Sequence, residues 1–435
     1  MSFRLKSGFT FGGWLGSIIN TQNDDTLKSD NHLKKNSDEF FLFHAFIESM
    51  KNASIANPNP SVGCVVVKNN TIISKGCTEK WGEKHAERVA LQHIPLEDLK
   101  DSVVYVTLEP CTHKGRQPPC IELFYNKGIK KVVVGSIDPN PIVAGHGLKT
   151  LTQLGMGELN TIFTNEIKAW NYPFFIQQKH KKIFIALKWA QSLDGCLADD
   201  FNGWKWISGT KSRIYTHWLR QKYDAILVGI GTVLNDFPAL DVRDISINNK
   251  RNPIKMIYDP AGKIFTCPLE HQNKLKEKTF NSSQKIILFI DKDKLNSVLS
   301  ATHNSWSQFL LNENEFIICP LEKGLPLYEN IMQSLEKINF ITVFGRPLQS
   351  IFVEGGPRLL SAFINENKFD LIHLFIAPFF LGGHKNKLFS KEIRSLTENF
   401  TREVAKEIRY HIASKEFLDN DILIEIIQKD YSKYD

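Results

Sequence analysis

Apolar and polar positions follow two rhythms along this chain, and the switches between them mark its elements. Ser37-Asp38-Glu39 opens a helix. Acids fill its first turn, where the helix dipole favours them, and Phe40, Phe43, Phe46, Ile47 and Met50 recur at helical spacing. Asn57-Pro58-Asn59-Pro60 is a turn, because each proline fixes its φ and drives the Asn before it out of the helical region. Val62-Gly63-Cys64-Val65-Val66-Val67 then reads as a strand, Asn69-Asn70 as a hairpin turn and Thr71-Ile72-Ile73-Ser74 as the return strand. A helical pattern follows His85, with Ala86, Val89, Ala90 and Ile94 on one side. Residues 102–108 form a strand, and Cys120-Ile121-Glu122-Leu123-Phe124-Tyr125 an amphipathic helix that Gly128 ends. Residues 131–135 are another strand. Strands alternating with helices predict a three-layer α/β domain.

The pattern restarts beyond residue 180. Residues 183–188 and 224–229 are strands, the second running into Gly231-Thr232-Val233-Leu234. Near the end, Ser350-Ile351-Phe352-Val353-Glu354 leads into Gly355-Gly356-Pro357-Arg358 and a helix start. Glycines there let backbone N–H groups approach an anion, which the helix N-terminus favours. No Gly-x-Gly-x-x-Gly joins a first strand to its helix, so the standard dinucleotide fingerprint is absent. The expected organisation is a flexible polar extension over 1–36, one domain over 37–180 and a second over 181–430. Pro173 and the run Lys179-His180-Lys181-Lys182 mark the join.

Composition narrows the class. Hydrophobic residues at 42% and charged residues at 23% are ordinary for a globular protein. The net charge of +7 is modest, and no block of five like charges suggests a nucleic-acid tail. No apolar run reaches the roughly 18 residues of a membrane span. No small-residue cleavage site follows the first residues, so the expectation is a cytoplasmic protein. Of seven cysteines, Cys64, Cys77, Cys196, Cys267 and Cys319 are expected as buried free thiols in a reducing compartment.

The other two belong to the chemistry. His85-Ala86-Glu87, Pro110-Cys111 and Pro119-Cys120 supply one imidazole, two thiols and a carboxylate that need not be a ligand. Three protein ligands, His85, Cys111 and Cys120, leave one zinc position open for water, as a catalytic zinc requires. Glu87 can then move protons to and from that water. A helix start makes a thiol more acidic, and thiolate is the form that binds zinc. The zinc nucleobase deaminases use this arrangement.

Longer motifs around these residues carry a family resemblance. Asn57-Pro-Asn-Pro-Ser-Val-Gly-Cys64, His85-Ala-Glu87, Thr107-Leu-Glu-Pro-Cys111 through Pro119-Cys120, and Asp138-Pro-Asn-Pro-Ile-Val-Ala-Gly145 resemble the deaminase half of the bifunctional deaminase/reductases of riboflavin biosynthesis. Related tRNA and cytidine deaminases usually keep two residues between their cysteines; here eight intervene. The resemblance implies a cytidine-deaminase-like α/β/α domain followed by a dihydrofolate-reductase-like α/β domain that uses NADPH. It implies deamination of 2,5-diamino-6-ribosylamino-4(3H)-pyrimidinone 5′-phosphate, then reduction of its ribosyl group to ribityl. It assigns Asn59, His113 and Arg116 to the deaminase substrate. It assigns Gln191, Trp206, Thr232, Asp236, Gly356, Pro357 and Arg358 to the cofactor. Trp204, Arg220, Leu240, Arg243 and Glu354 fall to the reductase substrate, guanidinium groups suiting a ribose phosphate. Asp138 is expected either to contact substrate or only to cap its Asn-Pro turn. A homo-oligomer, dimer or tetramer, is implied, with neither nucleic acid nor membrane as partner.

Two positions depart from the family pattern. Gln191 stands where a small residue is usual before Ser192, and Trp204 where a hydroxyl is common. An indole cannot accept a hydrogen bond. The alternative is therefore a working deaminase joined to a structural or inactive reductase-like domain. A nucleic-acid module with a structural zinc is a third, disfavoured possibility, since such a site wants four ligands.

Overall fold

The structure is a computed structural model that describes residues 34–112, 117–141, 143–197, 206–243, 245, 250–301, 305–381 and 411–427. The expected extension up to residue 33, and His113, Arg116 and Trp204, lie outside the described residues. The rest falls into two units, one ending at Phe184 and including Lys250 and Arg251, the other formed by Ile185–Ile245 and by the chain from Asn252.

In the first unit a helix spans Asp38–Met50, and the Ser37 hydroxyl accepts from the Phe40 amide at 3.2 Å. Its buried side is broader than the helical spacing suggests. Phe41, Leu42, Phe43, Ala45, Phe46 and Met50 are buried, whereas Phe40 and Ile47 are only half-buried. The helix has two neighbours, the sheet beneath it and the rings of Phe163 and Trp170, whose centroids lie 5.9 Å from Phe43 and 6.4 Å from Phe46.

Among the described residues this unit holds a five-stranded sheet ordered β2-β1-β3-β4-β5, from β1 (Gly63–Lys68), β2 (Thr71–Cys77), β3 (Val103–Val106), β4 (Lys131–Val134) and β5 (Gly157–Leu159). Asn69 and Asn70 have φ of 50° and 59°, as a two-residue type I′ hairpin requires. β1 runs antiparallel to β2 and β3, whereas β3, β4 and β5 are parallel. The Cys120–Asn126 helix makes the crossover from β3 to β4, and Gly128 at φ 66° follows it. Helices cover both faces, so β1 is almost wholly buried. The helix after His85 is short, Ala86–Leu91, with Ile94 beyond its end. It lies directly on β2: a Cβ on Gly76 would fall 2.5 Å from the Ala86 carbonyl oxygen. Pro173 does not break the chain. It occupies the first turn of a helix, Tyr172–His180, whose Phe174, Phe175 and Ile176 are buried. Proline is tolerated there because its missing N–H would have no partner in the helix.

The second unit holds, among the described residues, a nine-stranded sheet ordered β10-β9-β8-β7-β11-β6-β12-β14-β13. Its strands are β6 (Phe184–Ser192), β7 (Ala225–Gly229), β8 (Ile254–Tyr258), β9 (Ile286–Asp291), β10 (Phe316–Leu321), β11 (Ser350–Glu354), β12 (Leu371–Ala377), β13 (His411–Leu418) and β14 (Asp421–Ile427). β10, β9, β8, β7 and β11 pair in parallel, as do β6 and β12, and β13 and β14 close the other edge antiparallel. Three helices carry or adjoin the candidate reductase residues: Thr210–Lys222 before β7, Ile230–Asp236 after it, and Pro357–Asn365 after β11. Cys64, Cys77, Cys196, Cys267 and Cys319 are buried thiols outside any disulfide. Among the described residues no helix is long and apolar enough to cross a membrane.

Candidate functional site

His85 is the N-cap of the Ala86–Leu91 helix, Cys120 opens its own helix, and Cys111 lies just beyond the end of β3. The local backbone draws the two thiols together, with the Cys120 amide donating to the Cys111 carbonyl at 3.2 Å. Two further tethers close this loop onto the His85 segment. Arg88 Nη2 donates to the Pro118 carbonyl at 2.9 Å, and Gln117 Nε2 to the Gly82 carbonyl at 3.2 Å.

His85 Nδ1 lies 3.7 Å from Cys111 Sγ and 3.5 Å from Cys120 Sγ, and the three donor atoms are all within 4.8 Å of one another. Zinc bonds of about 2.0–2.1 Å to nitrogen and 2.3 Å to sulfur, at tetrahedral angles, put the two ligand atoms about 3.6 Å apart. The two nitrogen–sulfur separations therefore already match the edges of a zinc tetrahedron. The Cys120 thiol donates to the Cys111 sulfur, which holds Cys111 down and pushes Cys120 up. Hydrogen bonding to Cys111 also raises His85.

Glu87 is 4% exposed, and burial pushes its carboxyl above the ordinary value. It lines a cleft of about 270 Å³ with His85, Cys111, Asn59, Gln117 and Asp138. Asn59 is thus brought to the metal-ligand candidates. Asp138 Oδ1 accepts from the Asn140 amide at 2.8 Å, the cap expected of it, and its burial raises it to about 7.

The sequence patterns missed Glu109. This buried carboxylate accepts the amides of Asp138 at 3.2 Å, Gly145 at 2.9 Å and Leu148 at 2.9 Å. It ties the Cys111 strand end to the loop that lines the cleft with Asp138, Asn140 and Val143, and to the His146–Gln153 helix that follows. The available signal was an acid between Leu108 and Pro110, with no cation near it in sequence.

In the second unit, Arg220 and Glu354 meet. Nε and Nη2 of Arg220 donate to Oε1 and Oε2 of Glu354 at 2.7 and 2.9 Å, and Nη1 donates to the Asp241 carbonyl at 3.2 Å. Burial works against the Glu354 charge, but the Arg220 charge and hydrogen bonds outweigh it and leave the carboxyl below its ordinary value. Lys188 on β6, not singled out from sequence, feels both: burial lowers it, and Glu354 opposes that shift. Its signal was a lysine in the otherwise apolar strand Phe184–Trp189. Leu240 is buried at φ 51°, and Arg243 pairs with Asp241.

Among the cofactor candidates, Thr232 Oγ1 lies 3.7 Å from where a Cβ on Gly356 would be, so the first turns after β7 and β11 adjoin. Gly356 caps the Pro357–Asn365 helix, with Pro357 and Arg358 in its first turn. Trp206 is 54% exposed, too open for core packing, and the Arg213 guanidinium lies 5.2 Å from its ring. Gln191 Oε1 accepts from the Trp189 indole at 2.8 Å. Asp236 ends the Ile230–Asp236 helix and is exposed.

Comparison with known proteins agrees with this division. Residues 35–136 match the cytidine and deoxycytidylate deaminase zinc-binding region, and residues 183–410 match the RibD C-terminal domain. The riboflavin biosynthesis protein RibD of Aquifex aeolicus is 35% identical over 345 residues, 79% of this chain and 88% of that protein. The chain belongs to the RibD family. RibD of Actinobacillus pleuropneumoniae is 30% identical over 397 residues, covering 91% of this chain and 97% of its own. Among solved structures, Acinetobacter baumannii RibD is similar at a TM-score of 0.68 and 27% identity, over 91% of this chain and all (100%) of that one. A Thermotoga maritima structure is similar at a TM-score of 0.68 and 29% identity, over 90% and 98%. That protein is described as a diaminohydroxyphosphoribosylaminopyrimidine deaminase/5-amino-6-(5-phosphoribosylamino)uracil reductase. As a RibD-family member, the chain pairs a cytidine-deaminase-like α/β/α domain with a reductase-like α/β domain.

Proposed function

We propose that this RibD-family protein is bifunctional. Residues 37–180 deaminate 2,5-diamino-6-ribosylamino-4(3H)-pyrimidinone 5′-phosphate, and residues 181–430 reduce the ribosyl group of the product with NADPH. One observation carries the deaminase: an imidazole nitrogen and two sulfurs at tetrahedral-edge spacing, beside a buried carboxyl.

His85, Cys111 and Cys120 would hold zinc, which when bound brings the pKa of a water down to about 7. Glu87 then does the proton work. Burial raises its carboxyl, which makes it a stronger base towards the attacking water. It passes that proton to the amine at C2, which leaves as ammonia. Asn59 orients the base from the cleft wall, and His113 and Arg116 are assigned to the same substrate.

In the reductase, NADPH supplies the hydride, and the protein's part is orientation. The run from β11 through Gly355-Gly356 into the Pro357–Asn365 helix offers free N–H groups to a phosphate, and no side chain on Gly356 obstructs them. Thr232, Asp236, Trp206, Gln191 and Arg358 complete the cofactor set. Glu354, held by Arg220, meets the ribose with Leu240, Arg243 and Trp204. The same reading makes the protein a cytoplasmic homo-oligomer.

The test is coupled turnover. Wild type supplied with the diaminopyrimidinone phosphate and NADPH should release ammonia and consume NADPH in equal amounts. Glu87→Gln, keeping its zinc, should be about 10²–10⁴-fold slower and release no ammonia on the timescale of wild-type turnover. Ammonia without NADPH consumption would select the deaminase-only alternative.

A further inference from the structure

We infer that His217 is a positioning residue of the reductase site, its Nδ1 locking the Leu240–Arg243 turn against Arg220. The inference rests on the reductase reading above, but its geometry stands alone. His217 lies on the Thr210–Lys222 helix, three residues before Arg220, and is 6% exposed. Its Nδ1 is 3.1 Å from the Asp241 carbonyl oxygen, 3.4 Å from the Arg243 amide nitrogen and 3.5 Å from Arg220 Nη1. Arg220 Nη1 donates to that same Asp241 carbonyl at 3.2 Å. One ring nitrogen thus touches the backbone on both sides of Val242 and the guanidinium that holds Glu354.

The turn needs holding. Leu240 and Phe237 sit at φ 51° and 44°, left-handed conformations that side-chain-bearing residues adopt only when their surroundings impose them. Leu240 is fixed by burial, and the residues after it by His217 and Arg220. Arg243 then projects from a held turn, its side chain 47% exposed and paired with Asp241. The imidazole suits this place because it is uncharged. Burial, then the charges of Arg220 and Arg243, hold it down at about 4. A neutral ring between two guanidinium groups adds no repulsion, and Nδ1, according to its tautomer, either donates to the Asp241 carbonyl or accepts from the Arg243 amide, one at a time. A lysine there would bring a third positive charge.

The identity of the contacting atom supplies the test. An asparagine side chain puts a polar atom near the place of Nδ1; a glutamine puts one near the place of Nε2. His217→Asn should therefore behave nearly as wild type, whereas His217→Gln and His217→Ala should not. Two readouts are taken. In the first, KM for the deaminated substrate should rise about tenfold in the Gln and Ala variants, with kcat within about twofold. Arg243→Gln should raise KM similarly, and combining it with His217→Gln should add little, as coupled residues do. In the second, hydrogen exchange of the peptide 238–243 in the substrate-free protein should quicken in the Gln and Ala variants but not in the Asn variant. Equal behaviour of Asn and Gln, unchanged exchange, or a loss in kcat at constant KM would each overturn the inference. Absence of NADPH consumption by wild type would sink the reductase reading instead. The exchange arm would then still decide whether His217 holds the turn.

Discussion

Gly147 lies in the His146–Gln153 helix, where alanine is ordinarily better than glycine by about 0.8–1.0 kcal/mol. Gly147→Ala is nonetheless expected to destabilise. A Cβ there would fall 2.3 Å from the Pro110 carbonyl oxygen and 2.9 Å from Glu109 Cγ. Helix and strand end must part by roughly 1 Å to restore ordinary contact. Overpacking of this kind costs about 1–3 kcal/mol. It also stretches the bonds from the Gly145 and Leu148 amides to Glu109, each now 2.9 Å and each worth about 1.5–3 kcal/mol when the acceptor is charged. Set against the helix gain, overpacking alone leaves about 0–2 kcal/mol, and the weakened bonds to Glu109 bring the net loss to about 2–3 kcal/mol. Pro110 adjoins Cys111, so the same displacement moves a metal-ligand sulfur, and zinc affinity should fall about 10–100-fold, as when outer support of a ligand is removed. The assay is urea unfolding followed by proteolysis mapped to residues 34–184, with zinc competition against a chromogenic chelator. Gly231→Ala is the control. It is the second residue of the Ile230–Asp236 helix, and nothing outside its own stretch of chain comes within 4 Å of the place its added methyl would take, so it should be neutral or gain up to about 0.8–1.0 kcal/mol. A Gly147→Ala protein as stable as wild type, with unchanged zinc affinity, would refute the close approach of Pro110 to this helix.

Three other outcomes are expected. Cys111→Ala should lose zinc and ammonia release, yet still consume NADPH when given the deaminated substrate; kinetics on the two substrates separately will tell. Arg220→Ala strips a 13%-exposed carboxylate of its partner and should cost about 3–5 kcal/mol in denaturant unfolding of the second unit, a buried pair being far worse broken than absent. Glu166 concerns pH. Burial raises its carboxyl to about 7, and its Oε2 has no hydrogen-bond partner among the described residues. The folded state therefore keeps a proton that the unfolded chain releases near 4.5, so stability falls as pH climbs from 4.5 through 7. Glu166→Gln should match wild type near pH 4 and exceed it by about 3 kcal/mol at pH 8, as read by unfolding across that range.

The parts of the fold legible in the sequence were those that local chemistry decides. Ser37 with two acids, the Asn69-Asn70 turn, Gly128 and the Gly355-Gly356-Pro357 start each have a backbone reason that needs no distant partner. The ligand triplet was legible because its spacing is chemical rather than structural. What stayed hidden depends on residues far apart in the chain. Glu109 looks like any acid until the amides of residues 138, 145 and 148 come round to it. His217 and Lys188 gain meaning only when segments some 20 to 170 residues away pack beside them. The helix over Asp38–Met50 was misjudged in its buried face for a similar reason: periodicity reports one apolar side, and this helix has two neighbours.

The central claim is a metal held by one imidazole and two thiolates, with its fourth position left to water beside Glu87. X-ray absorption at the zinc edge of the purified protein tests it most directly. The spectrum should fit two sulfurs at about 2.3 Å and two nitrogen or oxygen atoms at about 2.0–2.1 Å. One light atom should vanish when His85→Ala is measured, and the other should persist in every variant outside the triplet. A zinc bound by three or four sulfurs, or by a second imidazole from the protein, would contradict the claim.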